Sequence, residues 1–323
     1  MTNKEVYSKT LCFSFRRLLW DFLALLVVAG GSAAGFLIAD KQMNKGLIGL
    51  GIGLVIAIII VALFMRFISY KYEAGQIAMM TRGVTEDSLP EDVLGEGKKV
   101  VKERFATVAA YFAATRIIKA IFNQLGRGIE SVGKAVGGDT GGTVGSAVSS
   151  VIQVIVSYLC DCCLGWVFYR KEIKASKATL EGAVLFFKHG KTLAKNLGRV
   201  FGIGLASLAA VGGAFFGLAY LILKQFPDLM RNLSNEIIEA AARNSTNLPA
   251  WVSDTGTLTI ATAAIIGVII WAMIHSVLIR PFVLVGVLRN YIRSGIEDMP
   301  TEESFKLLDS KSPKFKELHE KAA

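Results

Sequence analysis

Gly46-Leu-Ile-Gly-Leu-Gly-Ile-Gly-Leu-Val-Ile-Ala-Ile-Ile-Ile-Val-Ala-Leu-Phe-Met65 is a run of 20 residues without one charge. A helix rises about 1.5 Å per residue and the hydrocarbon core of a bilayer is about 30 Å thick, so this run alone is long enough to cross. Working outward, four more uncharged blocks follow the same pattern: Phe22–Ala39, Gly141–Cys160, Val200–Leu223 and Thr255–Ile279. The chain has 323 residues, 53% of them hydrophobic and 19% charged, with a mean hydropathy of +0.49. That balance indicates one all-α, polytopic membrane bundle rather than two soluble domains. The first apolar run is too long for a signal-peptide core and has no evident cleavage site, so it is taken as the first span.

The formal net charge of +10 sits between the blocks, and short Lys- and Arg-rich loops stay on the cytoplasmic side of a membrane. Asp40–Lys45 is a short link, so residues 1–69 form a transmembrane hairpin. Residues 70–104 follow as a cytoplasmic linker with Lys98, Lys99, Lys102 and Arg104. Residues 105–292 form the remaining bundle, within which 170–199 is strongly basic and cytoplasmic. The segment 225–256 has few basic residues and faces outward; its Phe226, Leu229, Met230, Leu233 and Ile237 follow helical period. Two glycosylation sequons, at Asn232 and Asn244, fall there.

If residues 100 and 171 lie on one side, an even number of crossings separates them. Gly141–Cys160 is one, and Phe105–Leu125 is the only other candidate, apolar apart from Arg116 and Lys119. The expectation is therefore six spans, five strong and one weak, with both termini cytoplasmic in a plasma or cytoplasmic membrane. The rival is an amphipathic surface helix at 105–125, with 141–169 re-entering from the same side. Residues 293–323 form a cytoplasmic tail of mixed charge, expected to be partly disordered.

Charges inside a bilayer are costly and face a protein interior or a water-filled cavity. That directs attention to Arg116, Lys119, Asp161 and His275 as intramembrane polar residues, with a pairing of Arg116 or Lys119 to Asp161 within reach. The alternative is that Arg116 and Lys119 snorkel from an interfacial helix. Leu180–Leu197 is basic and amphipathic, and with Arg199 its Lys188, Lys191 and Lys195 would meet anionic headgroups. Glycines at close spacing, among them Gly49, Gly53, Gly212 and Gly213, fit tight helix packing rather than a nucleotide fold. Gly128–Lys134 matches the start of a phosphate-binding loop, but Ala135 stands where magnesium needs Ser or Thr, and 126–145 reads as a glycine-rich connector. Cys160, Cys162 and Cys163 lack a nearby histidine and are not read as a metal site. No catalytic constellation, cofactor motif or nucleic-acid signature is present, so an enzyme is not expected.

Four features resemble the choline transporter-like family over the last two thirds of the chain. They are Arg116-Ile-Ile-Lys-Ala-Ile, the Cys160–Cys163 cluster ahead of a basic stretch, Phe187-Lys-His-Gly-Lys-Thr-Leu-Ala-Lys-Asn-Leu-Gly-Arg199 before a span, and a final span leading to an acidic, then lysine-rich, tail. The family has more spans and a large outer loop that this chain lacks. The resemblance implies transport of a small organic cation or related solute. Binding a quaternary ammonium needs an aromatic cage, which Tyr111, Phe112, Trp166, Tyr169 and Trp271 would supply. Beside Arg116 and Lys119 a zwitterion or anion fits equally. The expected function is a small-solute transporter or pore, with a homo-oligomer as a natural state for a small bundle. The alternative is a non-transporting membrane scaffold or assembly factor that holds lipid and partner proteins through its basic helices.

Overall fold

The computed structural model describes residues 1–43, 46–105, 113, 115–117, 119–120, 157–243 and 248–322, which are helical with no strand among them. The helices are α1 (Asn3–Met43), α2 (Gly46–Thr85), α3 (Val93–Arg104) and α4 (residues 157–169). Then α5 (Ala175–Ser207) passes through a π-helical turn, Leu208–Gly212, into α6 (Gly213–Leu223). After α7 (Pro227–Arg243), α8 (Thr255–Ile274) passes through a second π turn, His275–Ile279, into α9 (Arg280–Glu297), and the chain ends in α10 (Glu302–Lys311) and α11 (Pro313–Ala322).

Four segments are long and apolar enough to cross a membrane: Asn3–Ala39, Ile48–Thr85, Gly202–Leu223 and Thr255–Glu297. Three of them far exceed one bilayer; 41 residues in α1 and 40 in α2 make helices of about 60 Å. The excess has a use. The chain divides into two compact units, one of residues 1–14, 70–201 and 280–323, the other of residues 15–69 and 202–279. Each long helix gives its most apolar half to the second unit and its more polar half to the first.

In the second unit large apolar side chains face outward, including Leu26, Ile56, Phe64, Leu221 and Ile265, each more than half exposed. Such a surface is stable where the surrounding solvent is hydrocarbon. Its helices meet at glycines. A Cβ on Gly35 would stand 2.2 Å from the carbonyl oxygen of Gly49, and one on Gly53 would stand 2.3 Å from that of Gly31. Gly31 and Gly35 on α1 therefore face Gly49 and Gly53 on α2, backbone against backbone, which lipid alone would not drive for larger residues. The α6–α8 pair repeats the device, with Gly267 so placed that a Cβ would come 2.8 Å from the Gly212 carbonyl oxygen. α8 begins at a firm cap: the Asp254 carboxylate accepts from the backbone N–H groups of Gly256 and Thr257. Bonds from the Thr257 side chain and backbone hold that carboxyl below its ordinary range, so the stabilisation is present above the unfolded carboxyl pKa and fades as pH falls through the lowered one.

The first unit has a packed core. Phe13 of α1 fills the space beside Gly75 and Gly97, where a Cβ would come within 2.7 Å and 2.5 Å of its ring. The Gln76 amide donates to the Thr10 carbonyl at 3.3 Å and to Ser14 Oγ at 2.9 Å, joining α2 to α1. The tail, expected to be partly disordered, instead folds as α10 and α11. Leu308 and Phe315 are fully buried in one cluster with Leu180, Ala183 and Val184. The reason is legible afterwards: Thr301 caps α10, Pro313 starts α11 where no amide donor is needed, and Phe305, Leu308, Phe315 and Leu318 recur at helical spacing among the charges. The apolar face of Leu180–Leu197 is thus covered, over its first turns, by protein.

Most residues of the expected crossings Phe105–Leu125 and Gly141–Cys160 lie outside the described residues, as does the connector 126–145. What is described belongs to the first unit. Ile117 packs against the Leu180–Leu308 cluster, while Arg116 and Lys119 are exposed.

The α1–α2 contact gives a sharp expectation. Gly35→Leu should lower the thermal midpoint of the detergent-purified protein, at a cost of about 1–3 kcal/mol from overpacking. Gly30→Leu, where a side chain meets nothing within 4 Å, should leave the midpoint unchanged.

Candidate functional site

α4 carries the chemistry of the first unit. Its residues Tyr158, Leu159, Cys160, Asp161, Cys162, Cys163, Leu164, Trp166, Val167 and Phe168 are all buried. A helix apolar on every face belongs inside a protein, and Asp161 is the one ionic residue in that stretch. An isolated buried carboxylate is costly. Arg280, the first residue of α9, answers it: one guanidinium nitrogen pairs with Asp161 Oδ2. The same group donates to the Ser157 carbonyl at 3.4 Å and lies 5.6 Å above the Tyr158 ring. The Tyr158 hydroxyl is buried with no hydrogen-bond partner among the described residues.

A second set of polar contacts links α4 to α5. Trp166 Nε1 donates to Glu181 Oε2 at 3.2 Å, and Arg170 reaches the other Glu181 oxygen at 3.4 Å while lying 5.9 Å from the Trp166 ring. Arg104 at the end of α3 donates to the carbonyls of Ile173 and Arg170, both at 2.8 Å, tying α3 to the turn between α4 and α5. Cys163 Sγ donates to the Thr179 carbonyl at 3.4 Å, and the Tyr291 hydroxyl donates to the Gly182 carbonyl. Gly182 is small by necessity, since a Cβ there would stand 2.5 Å from Cys163 Sγ. All four cysteines are free thiols, and no group of metal-binding side chains occurs among the described residues.

In the second unit Trp271 Nε1 donates to Ser207 Oγ at 3.0 Å, and Ser207 donates to the Gly204 carbonyl at 2.8 Å. The Trp271 and His275 rings are 5.2 Å apart, and Gly204 leaves room beside His275 Nε2. Both π turns border this group. The one at His275–Ile279 has a local cause: Pro281 has no amide hydrogen to give the Val277 carbonyl, and its ring crowds that turn. π turns of this kind recur at functional positions.

The sequence-derived residues distribute as follows. Asp161, Trp166 and Tyr169 lie together in the first unit, with Trp166 fully buried and the Trp166–Tyr169 ring centroids 5.2 Å apart. Trp271 and His275 belong to the second unit. Tyr111 and Phe112 lie outside the described residues, as do the side chains of Lys191, Lys195 and Arg199. Lys188 pairs with Asp298, whose other carboxylate oxygen lies 3.4 Å from His189 Nε2. Arg280 is the residue that sequence reading missed. Its signal was a basic residue placed at the end of an uncharged block and followed at once by proline. Comparison with protein-family models, with curated proteins and with solved structures finds no match.

Removing Arg280 alone leaves a buried carboxylate. Arg280→Met should therefore destabilise by about 3–5 kcal/mol, and Arg280→Met with Asp161→Leu should recover most of that, read as thermal midpoints in detergent. Maleimide labelling offers a second check: in the folded protein only Cys12, which is half-buried, should react, whereas all four cysteines should react after denaturation.

Proposed function

We propose that the chain is a membrane-embedded scaffold or binding protein: four helices hold it in the bilayer, and residues 1–14, 70–201 and 280–323 do the work on one side. The observation that carries this reading is the continuity of the long helices from lipid-type surface into densely packed, ion-paired protein. Four crossings keep both basic stretches, 98–104 and 170–199, on the side of the termini, which the excess of Lys and Arg assigns to the cytoplasm. The burial of residues 158–168 among protein side chains and the packing of Ile117 favour four crossings over six. In this reading Arg116 and Lys119 lie on a surface helix, and the basic stretch from Lys188 to Arg199 offers contacts to anionic lipid or partner proteins.

A small-solute transporter is the second reading. It is favoured by the Ser207–Trp271–His275 group between two π turns, an arrangement suited to local rearrangement. A choline-like cation or a zwitterion, and assembly as an oligomer, belong to that alternative.

Two measurements separate these readings. In the Cys12→Ser background, Gly138→Cys should label with an impermeant maleimide from the same side as Ser176→Cys, and Ser245→Cys from the other; six crossings would put Gly138 with Ser245. In proteoliposomes, choline, betaine and small anions should pass no faster than through empty vesicles. Flux abolished by Ser207→Ala or His275→Ala would establish the transporter instead.

A further inference from the structure

α7 carries apolar residues at helical period, and the protein covers only part of them. The helix packs on α8 and on the short turn Ala250–Val252. That contact buries Met230, Ser234 and Ala241, and the Ser234 hydroxyl donates to the Val252 carbonyl at 2.8 Å. Phe226 and Leu229, three residues apart at the head of the helix, stay more than half exposed, and Trp251 on the neighbouring turn is 46% exposed. At a hundred degrees per residue, Phe226 and Leu229 flank the buried stripe, while the exposed Asp228, Arg231 and Asn235 fall on the far arc.

These apolar side chains continue a surface that begins on α6. Leu218, Leu221 and Ile222 are each more than half exposed there, and only a tight corner separates them from Phe226. In that corner the Lys224 amide donates to the Tyr220 carbonyl at 2.9 Å, and the Gln225 and Phe226 amides donate to the Ile222 and Leu223 carbonyls, both at 3.0 Å. Pro227 follows, with no amide hydrogen to satisfy. A corner that bonds its own amides can enter the edge of a bilayer, where unmet donors are costly. α7 itself has 17 residues, a length of about 25 Å, with charges along one face, so it suits lying on a bilayer and not crossing it.

We propose that α7 is an in-plane membrane helix on the side away from the termini. Phe226, Leu229 and Trp251 enter the boundary between headgroups and acyl chains, where a tryptophan ring is well placed, and the arc of Asp228, Arg231 and Asn235 faces water. The partner of this surface is the bilayer itself. The inference rests on the reading of α6 and α8 as membrane helices, and it adds a lipid contact that Ser234 and Met230 hold fixed against the second unit.

The test uses the full chain in phosphatidylcholine vesicles, in the Cys12→Ser background, whose remaining thiols are buried. Nitroxide labels go on Phe226→Cys, Leu229→Cys, Trp251→Cys and Asn235→Cys, and on Leu221→Cys of α6 as the reference. All five positions are exposed, so a label displaces no packed side chain. Collision rates are read with oxygen, which concentrates in lipid, and with a water-soluble nickel chelate. Oxygen should exceed nickel severalfold at Phe226, Leu229 and Trp251, with the highest ratio at Leu221, and nickel should exceed oxygen severalfold at Asn235. Nickel contact at Phe226 and Leu229 alongside oxygen contact at Leu221 overturns the proposal alone and leaves a helix in water. Loss of contact with both reagents at Phe226 and Leu229 overturns it in favour of a protein cover such as a second copy. Nickel contact at Leu221 as well overturns the membrane reading of α6 beneath it.

Discussion

A guanidinium and a carboxylate held away from water constrain the first unit. Asp161 sits on a helix with no solvent face, and such a charge is tolerated only with a partner of good geometry. Arg280 supplies it from the point where the last apolar helix leaves its π turn, so the pair joins the 70–201 and 280–323 stretches of that unit. The Ser157 carbonyl and the Tyr158 ring complete the setting of the guanidinium. Moving α9 by one residue would rotate Arg280 about a hundred degrees away from Asp161. The π turn before it is therefore part of the register that makes the pair possible, and Pro281 is a physical reason for that turn.

Two kinds of helix contact hold the chain, and they differ because the surroundings differ. Where the outer surface is apolar, association has no hydrophobic driving force, and the helices close on bare backbone at Gly31, Gly35, Gly49, Gly53, Gly212 and Gly267. In the first unit the contacts are ordinary core packing plus buried polar bonds: Phe13 against Gly75 and Gly97, Trp166 against Gly295, Gln76 to α1, and Trp166 to Glu181. One helix uses both kinds in succession. α2 is a glycine-surfaced apolar helix over its first half and a core helix over its last turns.

That division also separates the polar chemistry of the two units. Charge, hydrogen-bonding capacity and unpartnered polar atoms gather in the first unit, and the apolar helices of the second hold a smaller polar group at Ser207, Trp271 and His275. A scaffold or binding role draws on the former and a transport role on the latter. The covering of Leu180, Ala183 and Val184 by α10 and α11 further changes what that helix presents, since the apolar face of its first turns is occupied by protein.

The sequence by itself determined which segments must be kept from water. Runs of eighteen or more uncharged residues can be stable only in hydrocarbon or in a protein core, and helical period, caps and charge sign follow from composition along the chain. It marked Asp161 as a residue in need of a partner, and it marked α7 by apolar period. Tertiary structure decided which runs end in lipid-type surface and which in protein: Gly46–Met65 and the buried α4 are both apolar, and hydropathy cannot tell a lipid-facing helix from an interior one. It also decided that Arg280, over a hundred residues from Asp161, is its partner, and that the charged tail folds against Leu180. Each of these rests on which faces meet in space, and local sequence encodes the faces but not their meeting.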